Sequence, residues 1–215
     1  MTAVTSRAEP ILEASPEFRR RLLEGMAAAI RERGFRETTV ADVVRHARTS
    51  RRTFYEHFAT KQDCYVALLR ESNAEMVASI AASVDPHAPW HTQIRQAIGA
   101  WIAASESEPA ITLSWIREIP SLGEDARQLQ SDFLEAFIAL IQTLSDNPEL
   151  RAEGVTPIGR QPAILLIGGL RELMATTVED GGAIGDITEV AVGATMALLG
   201  PGDAAGAADA AGGGA

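Results

Sequence analysis

Apolar residues recur three and four positions apart through most of this 215-residue chain, the spacing that lines one face of a helix. No long stretch alternates apolar and polar residues through β-branched or aromatic types, so strands are not expected. Ser15-Pro16-Glu17 supplies an N-cap residue, a proline at the first helical position and an acid in the first turn. Phe18, Leu22, Met26, Ala29 and Ile30 continue that helix on one face, and Gly34 stops it. Thr39 and Asp42 have capping-box spacing and open a short helix with Val40, Val43, Val44 and Ala47 on one side. Thr60 and Asp63 repeat the spacing and open a long helix to about Val84. Asp85-Pro86 breaks it and starts another that reaches about Ala104. Glu108-Pro109 divides that helix from a segment at 111–119, which Pro120 ends. Residues 123–147 carry Leu129, Phe133, Phe137, Leu140, Ile141 and Leu144 along one face. Residues 148–159 read as a loop, and 160–179 and 186–199 as the last two helices. The expectation is an all-α chain of about nine helices, three short ones first and a larger helical bundle after them.

Charge divides the chain in the same way. Through Lys61 there are 12 Lys and Arg against 8 Asp and Glu; beyond it there are 7 against 21, within a formal net charge of −10. A basic segment on an acidic body is the distribution of a protein in which one part meets a polyanion, or of a helix with a solvated charged face. Cys64 is the single cysteine, which excludes an intramolecular disulfide or a multi-cysteine zinc site and fits a reducing cytoplasm. Residues 1–10 carry Arg7 and Glu9 and no apolar core of a secretory signal, and the most apolar run, 163–170, is too short to span a bilayer. The expected organisation is a flexible arm at 1–14, a small basic domain at 15–62, a larger helical domain at 63–199 and a disordered Gly/Ala tail at 200–215.

The second and third short helices have the dimensions of a helix-turn-helix: a supporting helix at 39–46, a turn at 47–49 and a recognition helix at 50–57. Phe54 and Phe58 face inward with Val40, Val43 and Ala47, which leaves Arg51, Arg52, Tyr55 and His57 on other faces. A major groove admits such a helix, and arginine's planar fork matches guanine O6 and N7 together. Tyrosine hydroxyls, histidines and lysines suit phosphate oxygens, and Lys61 opens the next helix as a mobile positive charge. Against this stands a solvated surface role for the arginines and a packing role for His57, while His46 is assigned to structure or surface.

The stretch "RERGFRETTVADVVRHARTSRRTFYEHFATKQDCYVALL" resembles the TetR family of bacterial transcriptional regulators. A Gly-Phe ends the first helix, Thr-Thr-Val opens the second, and "SRRTFYEHFATK" follows the family's Ser-x-x-Thr-φ-Tyr-x-His-Phe-x-x-Lys pattern. The resemblance covers residues 18–69. It implies an N-terminal three-helix DNA-binding domain on palindromic double-stranded operator DNA, a C-terminal effector-binding and dimerising domain, and regulation by a small molecule. By position, Thr39, Tyr55, His57 and Lys61 are implied phosphate contacts, and Thr49, Ser50, Arg51 and Arg52 the base-reading group. One departure stands out. The family's turn reads Ala-Gly-Val-Ser, and here it is Ala47-Arg48-Thr49-Ser50, so Arg48 must take a backbone conformation that glycine adopts without strain. A phosphate contact by Arg48 is the expected compensation.

Beyond Leu69 the chemistry is sparser. Trp101, Trp115, Phe133 and Phe137 are candidates for the lining of an effector cavity, with core packing as the alternative. Glu106, Glu108 and Glu118 lie near the tryptophans in sequence, and acids beside aromatic rings can hold lipophilic cations. His87 and His91 have the spacing of two metal ligands on a helix, but Pro89 lies between them, so neither a metal nor a cofactor is expected. The nucleophile elbow, the phosphate-cradling glycine loop and the His-Glu-x-x-His motif are all missing, so enzymatic activity is not expected. Gly168 and Gly169 interrupt an apolar helix, and Ala191, Gly193, Ala194 and Ala197 make the last helix small-sided. Small residues let a partner helix approach, either within the subunit or, as the resemblance implies, across a homodimer interface. The reading is a cytoplasmic, ligand-responsive DNA-binding repressor without a membrane role. The alternatives are an all-α interaction module without DNA binding and a helical metallo-hydrolase using His87 and His91.

Overall fold

The structure is a computed structural model and describes residues 15–119, 122–155 and 157–200. The expected arm at 1–14 lies outside the described residues, as does the expected tail beyond Gly200. The described residues form ten α-helices and no strand. They fall into two compact units that meet between Leu68 and Leu69.

The first unit holds α1 (Pro16–Glu37), α2 (Val40–His46), α3 (Arg51–His57) and the start of α4 (Lys61–Ser83). Gly34 leaves helical geometry at φ 77°, and one further turn follows before the chain exits at Thr38. Thr39 and Asp42 make the full capping box: each side chain takes the other's backbone N–H. Thr60 and Asp63 do the same at the head of α4. Leu22, Met26, Ile30, Val43, Phe54 and Tyr65 are fully buried together, and the Phe35 and Tyr65 rings stack with centroids 4.0 Å apart. The unit runs past the expected boundary at residue 62 because Cys64, Tyr65 and Leu68 complete this core. Gly25 is where α1 and α2 touch. A Cβ there would lie 2.6 Å from the Val43 carbonyl oxygen and 2.9 Å from the Ala47 nitrogen, so any side chain would push the helices apart.

The second unit continues α4 and adds α5 (Trp90–Ser107), α6 (Pro109–Arg117), α7 (Glu124–Ser145), α8 (Pro148–Ala152), α9 (Arg160–Glu179) and α10 (Thr188–Leu199). α9 packs against α6, α7 and α10, and α10 packs against α5. Arg117 on α6 grips Glu172 and Glu179 of α9 with paired N–H donors at 2.7–3.1 Å. Three elements differ from expectation. α5 starts at Trp90 rather than at Pro86, because residues 85–89 form a turn. Asp85 Oδ1 accepts the His87 N–H there, and Gln93 donates to the Pro86 and Ala88 carbonyls. The expected loop at 148–159 contains α8, whose cap Asn147 accepts the Glu149 N–H at 2.9 Å and whose Leu150 is buried. The last helix begins at Thr188, after a 3-10 turn at Ile184–Ile187 in which Asp186 accepts the Ala183 N–H.

Candidate functional site

In the helix-turn-helix, α2 ends at Ala47, three turn residues follow, and Ser50 caps α3 by accepting the Thr53 N–H at 3.0 Å. Arg48 has φ 50°, the left-handed value expected of it, and is the only described non-glycine residue at positive φ. Sequence reasoning missed what secures this turn. The Arg21 guanidinium, on α1, donates to the carbonyls of Ala47 at 2.6 Å and Arg48 at 2.7 Å. It was not legible from spacing, since its partners lie 26 and 27 residues away.

Phe54 is fully buried and Phe58 nearly so, which turns Arg51, Arg52 and Tyr55 of α3 outward. Tyr55 is 58% exposed although its ring meets Phe54 edge-on, with centroids 5.4 Å apart. Arg52 lends its Nε–H to Glu56 at 3.0 Å while its side chain stays 90% exposed. An exposed pair of that kind holds the side chain only weakly. Thr49 and His57 are half-buried beside the helix, and Arg48 is exposed on the turn.

Two of the expected contact residues have internal work. Thr39 donates its hydroxyl to Asp42 at 2.6 Å, which with the backbone bond holds the Asp42 carboxyl at about 2. Lys61 is not the mobile charge that its position suggested. Its ammonium donates to the carbonyls of Phe35 (3.0 Å), Arg36 (3.2 Å) and Thr38 (2.7 Å), closing the last turn of α1. It also stands 4.4 Å from the Phe35 ring centroid. A cation at a helix C-terminus complements the dipole there and satisfies carbonyls that have no helical partner. His46 hydrogen-bonds Glu32 at 2.9 Å, in keeping with its structural assignment. The neighbouring guanidiniums of Arg45 and Arg33, with His46, draw the Glu32 carboxyl down to about 2.

The second unit encloses a cavity of about 490 Å³, within the range of small-molecule sites. Trp101, Trp115, Phe133 and Phe137, all buried, line it together. Trp115 meets Phe133 edge-on at 5.0 Å and Phe133 meets Phe137 at 4.4 Å. They are at once core and wall. His87 and His91 are not brought to one face: His87 lies in the turn and bonds Glu149 of α8 at 3.0 Å, while His91 is on α5. Among the described residues no group of three or more His, Cys, Asp and Glu could hold a metal ion.

On α9 and α10 the expected interface residues separate. Gly168, Gly169 and Ala194 are exposed, and a Cβ at either glycine would meet nothing within 4 Å. Ala191 is fully buried instead, because the α10 face carrying Ala191, Val192 and Thr195 turns into the unit. Beside the exposed small residues stand Ile164, Leu165, Val190 and Leu198, four of the five large exposed apolar side chains among the described residues. No described helix is long and apolar enough to cross a membrane.

The chain thus combines a capped helix-turn-helix bearing an outward arginine pair with a helical unit around a ligand-sized cavity. Residues 22–68 match the model of the bacterial regulatory proteins of the tetR family. The chain is 22% identical over 163 residues to the HTH-type transcriptional repressor BepR of Brucella suis biovar 1 (strain 1330), a match covering 71% of this chain and 78% of that protein. Its fold is similar to that of the transcriptional regulator FadR from Bacillus subtilis in complex with stearoyl-CoA, with a TM-score of 0.70 at 13% identity over 85% of this chain and 98% of that one. It is also similar to the fatty acid degradation regulator FadR from Bacillus halodurans, with a TM-score of 0.68 at 14% identity over 86% and 96%.

Proposed function

We propose that the protein is a ligand-responsive transcriptional repressor that binds a palindromic DNA operator as a cytoplasmic homodimer and has no enzymatic activity. The observation that carries the reading is the outward Arg51, Arg52 and Tyr55 face on a capped α3 inside the tetR-family span. Arg51 and Arg52 read bases in the major groove, with Thr49 and Ser50 at the helix start close to the groove floor. Tyr55, His57, Arg48 and Thr39 contact phosphates. Ser50 accepts the Thr53 N–H and shares a hydrogen bond with the Thr53 hydroxyl at 3.0 Å, so it meets DNA through whichever of its proton and second lone pair that bond leaves.

Dimerisation uses the outer faces of α9 and α10. Leu165, Val190 and Leu198 supply the apolar surface, and Gly168, Gly169 and Ala194 let the partner's helices come close. Effector binding in the second unit's cavity then alters the separation of the two recognition helices, which no longer fit successive major grooves ~34–36 Å apart. α4 is the connection, because its start belongs to the first unit while its later residues line the cavity. The Bacillus subtilis FadR structure holds stearoyl-CoA, which supports a ligand in the corresponding body of this chain.

Selection of bound sequences from a random DNA pool tests the reading. A palindromic consensus is expected, and Arg51→Ala or Arg52→Ala should lose roughly 1–3 kcal/mol on it and relax preference at one base position per half-site. A pool without enrichment, or arginine variants that bind the consensus as the wild type does, would remove the assignment.

A further inference from the structure

We propose that the cavity of the second unit takes an apolar molecule bearing an anionic oxygen group, with Arg171 holding the charge and Asn73 and Trp115 donating hydrogen bonds. The inference rests on the effector reading for its regulatory meaning, and on the cavity wall for its chemistry.

Most polar side chains on that wall are already spent. Gln93 donates to Pro86 and Ala88, Ser105 to Trp101, Thr112 to Ser105, Ser145 to Gln142 and Thr195 to Ala191, each through a backbone carbonyl. Three nitrogens remain buried with no hydrogen-bond partner, Asn73 Nδ2 on α4, Trp115 Nε1 on α6 and Arg171 Nε on α9, and the Glu108 Oε2 oxygen is buried on the same wall. Buried donors almost always have a partner, and leaving one unmet costs about as much as a lost hydrogen bond. Three unmet donors from three helices around one cavity are therefore the signature of acceptors supplied from outside the chain.

The charge is assigned from Arg171, the only Lys or Arg on the wall, whose acids are Glu108 and the exposed Glu75. Its sequence neighbour Glu172 is held by Arg117 at 2.9 and 3.1 Å. Burial lowers the Arg171 pKa, and the charge of Glu172 offsets that only in part. A guanidinium is the side chain suited to a carboxylate or phosphate oxygen, which it meets with several fixed donors. Ser72, Ser79 and Ser107 also reach the wall, but most of the remainder is aliphatic and aromatic, from Met76 and Ile94 to Phe137 and Leu170, so the body of the ligand is apolar. Glu108 also reaches the wall, where its buried carboxylate oxygen admits a hydroxyl on the ligand and, by repulsion, keeps the anionic group at Arg171. Glu106, the acid that would have favoured a lipophilic cation, is exposed and accepts the Gly185 N–H at 2.8 Å.

The test is a tryptophan-fluorescence titration of the full-length protein, without DNA, using octanoate, dodecanoate, hexadecanoate and 2-naphthoate. Dodecylammonium and dodecanol serve as charge controls. At least one acid should saturate, with dodecylammonium at least about tenfold weaker. Arg171→Met should weaken that acid about tenfold or more and leave dodecanol binding unchanged. It should not lower the melting temperature of the ligand-free protein, since it removes a half-buried cation whose desolvation outweighs the charge of Glu172. Trp115→Phe, which removes the indole N–H donor together with part of the ring system, should weaken the acid several-fold and dodecanol less. Failure of all four acids, preference for dodecylammonium, or full acid affinity in both variants overturns the proposal. DNA affinity measured separately distinguishes the two readings. An acid that binds through Arg171 yet leaves operator affinity unchanged sustains the ligand assignment and defeats its regulatory role.

Discussion

Replacing Lys61 separates a structural ammonium from a DNA-binding one. Lys61→Met keeps most of the aliphatic stem against Phe35 and removes the three N–H donors that meet the Phe35, Arg36 and Thr38 carbonyls. A hydrogen bond to a charged group contributes ~1.5–3 kcal/mol where solvent is excluded. Here the Arg36 carbonyl is on the exposed side and water can replace its bond, so only the two part-buried carbonyls, Phe35 and Thr38, count in full. The cation also complements the C-terminal end of α1, an effect of ~0.3–1 kcal/mol. Allowing for relaxation and partial hydration, the variant should be destabilised by about 2–3 kcal/mol in urea unfolding of the first unit. The matching DNA measurement is the slope of log K against log salt. If Lys61 bound a phosphate in each of two subunits, its replacement would make that slope shallower by about 1.8. An internally committed lysine instead leaves the slope unchanged and lowers affinity only through the unfolded fraction. A Lys61→Met protein of unchanged urea midpoint with a shallower slope would refute the capping role and return Lys61 to the phosphate group.

Three further outcomes are expected. Arg48→Gly removes a left-handed non-glycine residue at φ 50°. It should stabilise the first unit by about 0.5–1 kcal/mol, after the extra flexibility of glycine in the unfolded chain is subtracted, while weakening operator binding because the guanidinium is gone; a destabilised variant would show that Arg48 contributes packing or bonding beyond its backbone. Leu165→Glu and Gly169→Leu, both on exposed parts of α9, should shift the protein toward monomer in sedimentation, whereas Ala191→Leu should lower the melting temperature by overpacking the buried face of α10; dimers intact in both α9 variants would move the interface elsewhere. Glu32 has its carboxyl depressed from 4.5 to about 2, first by Arg45 and then by Arg33 and His46, so its stabilising effect is present above about pH 4.5 and is lost as pH falls toward 2; melting profiles of wild type and Glu32→Gln should converge on acidification, and parallel profiles would dismiss the pairing.

Elements bounded by local chemistry were legible from the sequence alone. The Thr39–Asp42 and Thr60–Asp63 boxes work over three residues, and both are present where the sequence places them. The helix at Arg160–Glu179 has the bounds its composition implies. The strained turn at Arg48 was likewise readable, since only the residue type and its place in the motif are needed. α8 carried its own signal in Asn147-Pro148, a cap followed by proline at the first helical position, but a five-residue helix has too little periodicity to stand out from a loop. What folding alone decides is which partner a side chain finds at long range. Lys61 reaches carbonyls between 23 and 26 residues back, and Arg21 reaches a turn 26 and 27 residues ahead. Whether Ala191 or Ala194 faces the interior depends on how α10 rolls against α5, which small side chains on both faces leave undetermined in the sequence. Asn73, Trp115 and Arg171 lie on three helices and acquire a shared chemistry only when those helices close around one cavity. Periodicity encodes which face of a helix is apolar; the pairing of faces, and hence the unmet donors they enclose, is a property of the packed chain.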